Sequence, residues 1–253
     1  MTAAKEMPSS SKDAWDQNAD FWVQIIRGQR DRYRTELTDA EVLDAIGDCT
    51  GLDFLDVGCG EGYMTRELVR RGASHGHGID RASALIAAAR RVEMPDVSFD
   101  EADVADLPFA PSSFDLVLAN HLMNDLEDIE GPLSEITRVL RPGGRFIALM
   151  LHPCFYGHQA EQTAIGQPLA ATEYFSHRVI EQPFHVDGMT SPAAAAAWVR
   201  PLEAYTKSLA GNGLYITGMT EPHPSNKLLA SSEWWRKNFL RPLLMLITAQ
   251  KLN

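Results

Sequence analysis

Apolar residues along the chain change their spacing several times, and each change marks an element. Around Trp15, Phe21, Trp22, Ile25 and Ile26 the intervals are mostly helical, which predicts one helix starting near Trp15. Thr38 with Glu41 has the arrangement of a capping box and predicts a second helix that buries Val42, Leu43 and Ile46 and ends between Gly47 and Gly51. From Leu52 the pattern changes: Phe54, Leu55 and Val57 form a short apolar run, Gly58, Gly60 and Gly62 follow, and Tyr63 to Arg71 reads as a helix. A second strand spans Ala73 to Ile79 and ends in Asp80. The next helix buries Leu85, Ile86, Ala89 and Val92 and stops at Pro95, after which Val97 to Glu101 makes a third strand. Phe114 to Ala119 is nearly continuous in apolar residues, as expected of a strand buried on both faces. Asn124 with Glu127 then opens a helix carrying Leu126, Ile129, Leu133, Ile136 and Leu140 at a 3.6-residue period.

Strand and helix alternate in this way from about 52 to 151, which argues for βα units and a parallel sheet. Beyond His152 the periodicity fades, and aromatics and histidines crowd the stretch up to Trp198, among them Phe155, Tyr156, His158, Tyr174, Phe184 and His185. A long insertion at a strand's carboxyl end is more often a lid or pocket wall than idle loop. Residues near 198 to 210 read as a helix, and Leu214 to Met219 and Pro242 to Lys251 as strands. The organisation expected is one domain over 1–253: helical cap 1–47, ligand-binding core 48–151, insertion 152–198, and the rest of the core 199–253.

Composition narrows the partners. A net charge of −11 opposes phosphate backbones, and no basic cluster with interleaved aromatics relieves it, so nucleic acid is not expected. No apolar run reaches the roughly 18 residues a membrane span needs, so a cytoplasmic protein is expected. Cys49, Cys59 and Cys154 lack metal-ligand spacing, and no metal site is expected. Residues 1 to 12, rich in Ser, Ala and Lys, are expected to be flexible.

The glycine turn carries the chemistry. Glycines let the backbone take positive φ and let a ligand approach closely, while the following helix offers free N–H donors. A dinucleotide fingerprint needs a third glycine where this chain has Tyr63, and Asp56 would repel a pyrophosphate but suits a cationic ligand. Asp56-Val57-Gly58-Cys59-Gly60-Glu61-Gly62 resembles the D/E-x-G-x-G-x-G signature of class I S-adenosylmethionine-dependent methyltransferases. Asp80, 18 positions past Gly62, the Asp103-Val104 turn and the Val139 to Ile147 segment around Pro142-Gly143-Gly144 resemble that family's later motifs in the same order.

The resemblance implies an α/β fold, a Rossmann-like, doubly wound, mostly parallel seven-stranded sheet with an antiparallel last strand. N-terminal helices and an inserted lid after the fifth strand complete it. The cofactor implied is S-adenosylmethionine, with Gly58, Gly60 and Gly62 at its methionine part, Asp80 at the ribose, Asp103 and Val104 at the adenine, and Asp56, Arg81 and Asn120 also among the cofactor-binding residues. Tyr33-Arg34 resembles a pair that in many members closes over the cofactor from an N-terminal helix. Acting on a phenol at neutral pH calls for a general base, and His121 and His152, both at strand carboxyl ends, are the candidates. His75 and His77, inside a strand, are read as structural. The aromatic insertion, with Trp15 and Trp22, suits a small aromatic or hydrophobic acceptor, as in natural-product biosynthesis. The reaction expected is methyl transfer to a hydroxyl. Transfer to nitrogen or carbon, or cyclisation with the cofactor as scaffold, are the alternatives.

Overall fold

The computed structural model describes residues 11–156 and 174–252. Of the segment 1–12 expected to be flexible, residues 1–10 lie outside the described residues, as does His158, whereas Ser11 and Lys12 already belong to the first helix. The elements are α1 (Ser11–Gln17), α2 (Ala19–Arg27), a π-helical turn (Arg34–Thr38), α3 (Asp39–Ile46), β1 (Asp53–Val57), α4 (Tyr63–Arg70), β2 (His75–Asp80), α5 (Ser83–Arg90), β3 (Val97–Glu101), β4 (Phe114–Asn120), α6 (Glu130–Val139) and β5 (Leu140–Leu151). There follow β6 (Arg178–Gln182), β7 (His185–Val186), β8 (Met189–Thr190), β9 (Ala195–Val199), α7 (Leu202–Gly211), β10 (Leu214–Thr220), α8 (Asn226–Ser231), α9 (Glu233–Asn238) and β11 (Leu244–Lys251).

Seven strands form one sheet in the order β10-β11-β5-β4-β1-β2-β3, with β1 to β5 parallel and β11 antiparallel to both neighbours. From β1 the chain steps outward to β2 and β3, then returns to β4 on the other side, so the strand order reverses between β1 and β4. Period-two alternation explains the layering: Val117 and Ala119 of β4 face one apolar core, while Leu116 and Leu118 face the other. All four are fully buried, and the valine and the two leucines each contribute about 1.5–3 kcal/mol.

Three predicted boundaries shift. The first helix divides at Asn18, whose buried side chain leaves the helix and bonds Ala193 in both directions: Nδ2 donates to the Ala193 carbonyl at 3.0 Å and Oδ1 accepts its N–H at 2.8 Å. No Thr38 capping box forms, because the π-helical turn already leads into α3 and leaves the Thr38 side chain without a capping bond. The helix expected from Asn124 starts at Glu130 instead. Asn124 spends its side-chain oxygen on the Leu151 N–H at 2.7 Å, whereas Asp128 accepts from the N–H groups of Glu130 and Gly131 at 3.1 Å each. The Pro142-Gly143-Gly144 segment lies inside β5, where the register with β4 slips between Phe114 and Leu116.

From Arg178 onward the insertion is an antiparallel excursion of two small ladders, β6 with β9 and β7 with β8. It meets the N-terminal helices through aromatic rings: Phe184 lies 5.5 Å from Trp15 and 4.9 Å from Trp22, ring centroid to centroid.

Candidate functional site

Open α/β sheets bind ligands beyond the strands' carboxyl ends, at the point where strand order reverses. A cleft lies there, walled by Gly58 and Gly60 after β1, Asp80 and Arg81 after β2, Asp103 and Val104 after β3, and Asn120 and His121 at the end of β4. Trp15 from α1 and Leu122, Asp125 and Leu126 from the β4–α6 connection complete it. Eight of the residues singled out in the sequence thus converge from four strands.

The glycines divide the labour. A Cβ on Gly60 would meet nothing within 4 Å, so its open face belongs to the cleft. On Gly62, at φ 79°, a Cβ would fall 2.3 Å from the Phe99 ring; that glycine serves packing and does not line the cleft. Gly60 is pinned in turn, its N–H donating to Asp80 Oδ2 at 3.0 Å while Ala82 N–H donates to Oδ1 at 2.9 Å. Burial pushes the Asp80 carboxyl above its usual pKa, and these two donors oppose the shift. Each carboxylate oxygen keeps a second lone pair for a ligand hydroxyl.

Asp56 does not line the cleft. It is buried beneath the turn, accepts the Thr65 hydroxyl proton at 2.6 Å, and burial pushes its pKa up to about 7. Asp103 is exposed, with Oδ1 accepting from Ala105 N–H at 2.9 Å. At Asn120, Nδ2 donates to the Tyr63 hydroxyl at 3.0 Å, and Oδ1 is buried without a partner.

The Tyr33-Arg34 pair splits. Arg34 lies with its guanidinium 4.2 Å from the Tyr63 ring centroid, donates to the Ile26 carbonyl at 2.9 Å, and keeps a buried Nε without a partner. Tyr33 turns toward α9, packing on Trp234 and Trp235 and donating to the Asn238 carbonyl at 3.1 Å. Neither lines the cleft.

The two histidines also differ. His121 takes a left-handed backbone conformation at φ 68°, its N–H held by the Leu149 carbonyl at 2.8 Å, and this exposed residue stands among those that line the cleft. The surrounding walls push its pKa below the ordinary value, with Asp31 opposing. His152 is buried at the end of β5 with both nitrogens engaged: Nδ1 accepts from Cys154 N–H at 3.1 Å, so Nε2 carries the proton it gives to Glu221 at 2.8 Å. Of the remaining histidines, His75 pairs with Asp53 at 2.8 Å and His77 with Asp100 at 2.9 Å, both at the opposite end of the sheet. Sequence reasoning passed over Asp125 and Tyr63, although Asp125 stands only four residues past His121 on the same connection.

Comparison with known proteins agrees with this geometry. Residues 55–148 match the family model described as Methyltransferase domain. A protein of Mycobacterium ulcerans named "Probable phthiotriol/phenolphthiotriol dimycocerosates methyltransferase 2" is 30% identical over 183 residues, covering 70% of this chain and 68% of that one. The "2-phytyl-1,4-naphtoquinone methyltransferase" of Thermosynechococcus vestitus is 36% identical over 108 residues, 41% of this chain and 48% of that protein, so this match spans about half the relative's length. The crystal structure of an S-adenosylmethionine-dependent methyltransferase from Mesorhizobium loti superposes with a TM-score of 0.68 at 22% identity, covering 84% of this chain and 96% of that one. At that identity the likeness speaks for the fold. No helix among the described residues is long and apolar enough to cross a membrane.

Proposed function

We propose that this chain, which belongs to the class I S-adenosylmethionine-dependent methyltransferase family, moves a methyl group from that cofactor to a hydroxyl of a small aromatic or hydrophobic metabolite, with His121 as general base. The observation that carries this reading is the convergence of Gly58, Gly60, Asp80, Asp103, Asn120 and His121 on one cleft at the strands' carboxyl ends. The cleft fits the cofactor on its own terms. Open space above Gly60 admits a ligand backbone-close, the unpartnered Asn120 Oδ1 awaits a donor, and Asp80 and Asp103 offer carboxylates to hydroxyl and amino groups. Arg34 stands behind the Tyr63 ring and off the cleft wall, and its buried, unpartnered Nε is what supports assigning it to the cofactor's carboxylate; Tyr33, turned to α9, keeps no part in that assignment.

When bound, S-adenosylmethionine supplies a methyl group activated by a sulfonium. The chain's own work is alignment, exclusion of water and removal of a proton. With the acceptor oxygen aligned on that methyl group, His121 would take the hydroxyl proton. His152 is the weaker candidate for that step, because both its ring nitrogens are already engaged. An apolar acceptor is supported by Trp15, Leu122 and Leu126 on the cleft wall, and by relatives whose names refer to a phytylated naphthoquinone and to phthiotriol lipids. Calorimetric titration with S-adenosylmethionine and S-adenosylhomocysteine tests the reading: binding that Asp80→Ala weakens is expected, and absence of binding to the intact chain overturns it.

A further inference from the structure

Away from the cleft, where β2 and β3 begin, three side chains form an arrangement that methyl transfer does not use. Ser98 and Asp100 lie two residues apart on β3, and His77 lies on β2 in register with Ser98. Period-two alternation sets all three on one face. The His77 ring joins the other two: Nε2 stands 2.9 Å from Asp100 Oδ2, and Nδ1 stands 2.8 Å from Ser98 Oγ. A carboxylate only accepts, so Nε2 carries the ring proton and the bare Nδ1 accepts from the Ser98 hydroxyl. Asp100 is fixed in turn by Arg90, whose Nη2 donates to Oδ1 at 2.8 Å while its Nε donates to the Phe99 carbonyl at 2.8 Å. Phe109 meets the imidazole edge to face, centroids 4.6 Å apart. Burial lowers the His77 pKa, with Asp100 opposing, which favours the neutral ring.

Hydroxyl, imidazole and carboxylate in that order are the means by which a serine is activated for acyl transfer. The two ring nitrogens exchange the places they hold in serine proteases, and the proton path is the same. Ser98 is exposed and, with His77, lines a cavity of about 380 Å³ walled by the apolar Val97 and Phe114 and by Asp53 and Asp96. Among the described residues β3 is the outermost strand of its sheet, so its outward N–H groups are donors open to a developing oxyanion. We propose that Ser98, His77 and Asp100 form a second, hydrolytic site that cleaves small uncharged carboxylic esters. Ser98 Oγ bonds to the ester carbonyl carbon as its proton passes to His77 Nδ1. The carbon–oxygen bond to the alcohol then breaks, and the alcohol leaves with that proton. Water, deprotonated by the same nitrogen, releases the acid and restores the serine. Val97 and Phe114 receive the acyl group, while Asp53 and Asp96 oppose one that bears a carboxylate.

The test follows hydrolysis of p-nitrophenyl acetate by the full chain and its labelling by phenylmethylsulfonyl fluoride. Expected are a burst of about one p-nitrophenol per chain, a steady rate above that of free imidazole at the same concentration, and a label that maps to Ser98. Ser98→Ala, a change at an exposed position, keeps the thermal midpoint and loses both burst and label. His77→Gln slows acylation by about 10²–10⁴-fold. Ser98→Cys restores a nucleophile at the same place and is acylated again. Absence of acylation in wild type, a burst that survives in Ser98→Ala, an unchanged rate in His77→Gln, or a label that maps elsewhere overturns the proposal. No step of the test involves S-adenosylmethionine, so its result is independent of the methyltransferase reading.

Discussion

Asn120 donates its amide to the Tyr63 hydroxyl at 3.0 Å, and that hydroxyl donates to Asp39 Oδ1 at the same distance. One phenol thereby joins the end of β4, the helix behind the glycine turn and the N-terminal cap, and its ring carries Arg34 at 4.2 Å. Tyr63→Phe strips a partner from a partly buried amide and a carboxylate together. It is expected to cost about 1–3 kcal/mol in urea unfolding and to weaken S-adenosylmethionine binding in calorimetry. Unchanged stability and affinity would show that the phenol is a bystander.

Gly60 and Gly62 stand two residues apart with opposite demands. Gly62→Ala sets a methyl against the Phe99 ring in a left-handed backbone conformation, and is expected to destabilise the fold by about 1–3 kcal/mol. Gly60→Ala meets no protein atom, so it costs only the backbone strain of its positive φ, about 1–2 kcal/mol at most, while its methyl enters the space proposed for the cofactor. Thermal unfolding and cofactor titration of the pair separate the two roles: stability falls further in the first, affinity further in the second.

Asp56 gives the fold a pH dependence of its own. Its folded pKa of about 7 lies above the ordinary carboxyl value of 3.8, so the native state holds this proton more firmly than the unfolded chain. Stability from this group is therefore complete below the ordinary value and declines as pH rises toward 7. Asp56→Asn keeps an oxygen for the Thr65 hydroxyl and removes the charge. Urea midpoints at pH 5 and pH 7 are expected to converge in the variant relative to wild type.

His121, the proposed base, would set the acid side of the activity profile. The walls around it lower its pKa, so the neutral, proton-accepting form persists below the ordinary histidine value of about 6.5. Methyl transfer to a phenolic acceptor should hold its rate down to that pH and fall only beneath it. His121→Gln is expected to lose about 10²–10⁴ in kcat, to flatten that limb and to leave S-adenosylhomocysteine affinity intact. A rate that survives the substitution would remove the histidine from the mechanism.

The sheet was readable because parallel strands buried on both faces, such as Phe114 to Ala119, are written as unbroken apolar runs. The same holds for Gly58, Gly60, Asp80 and Asp103, whose motif spacing follows from one strand–turn–helix repeat. Local spacing does not carry bonds across the chain. Asn124 looked like a helix opener, and only the approach of Leu151 shows where its oxygen goes. His152 sat at a promising strand end, yet Glu221 from another strand's end occupies its ring. Asp125 stayed hidden for the same reason, since its neighbours Asp80, Arg81 and Trp15 come from two other segments.

The reciprocal pair between Asn18 and Ala193 joins segments 175 residues apart. With Trp15, Trp22 and Phe184 packed beside it, the helix that roofs the cleft cannot lift without dragging the connector of the insertion along. In hydrogen-exchange terms the two segments form one opening unit, and their amides should share a single opening free energy. A ligand that orders Trp15 on the cleft wall should then slow exchange around Ala193 as well.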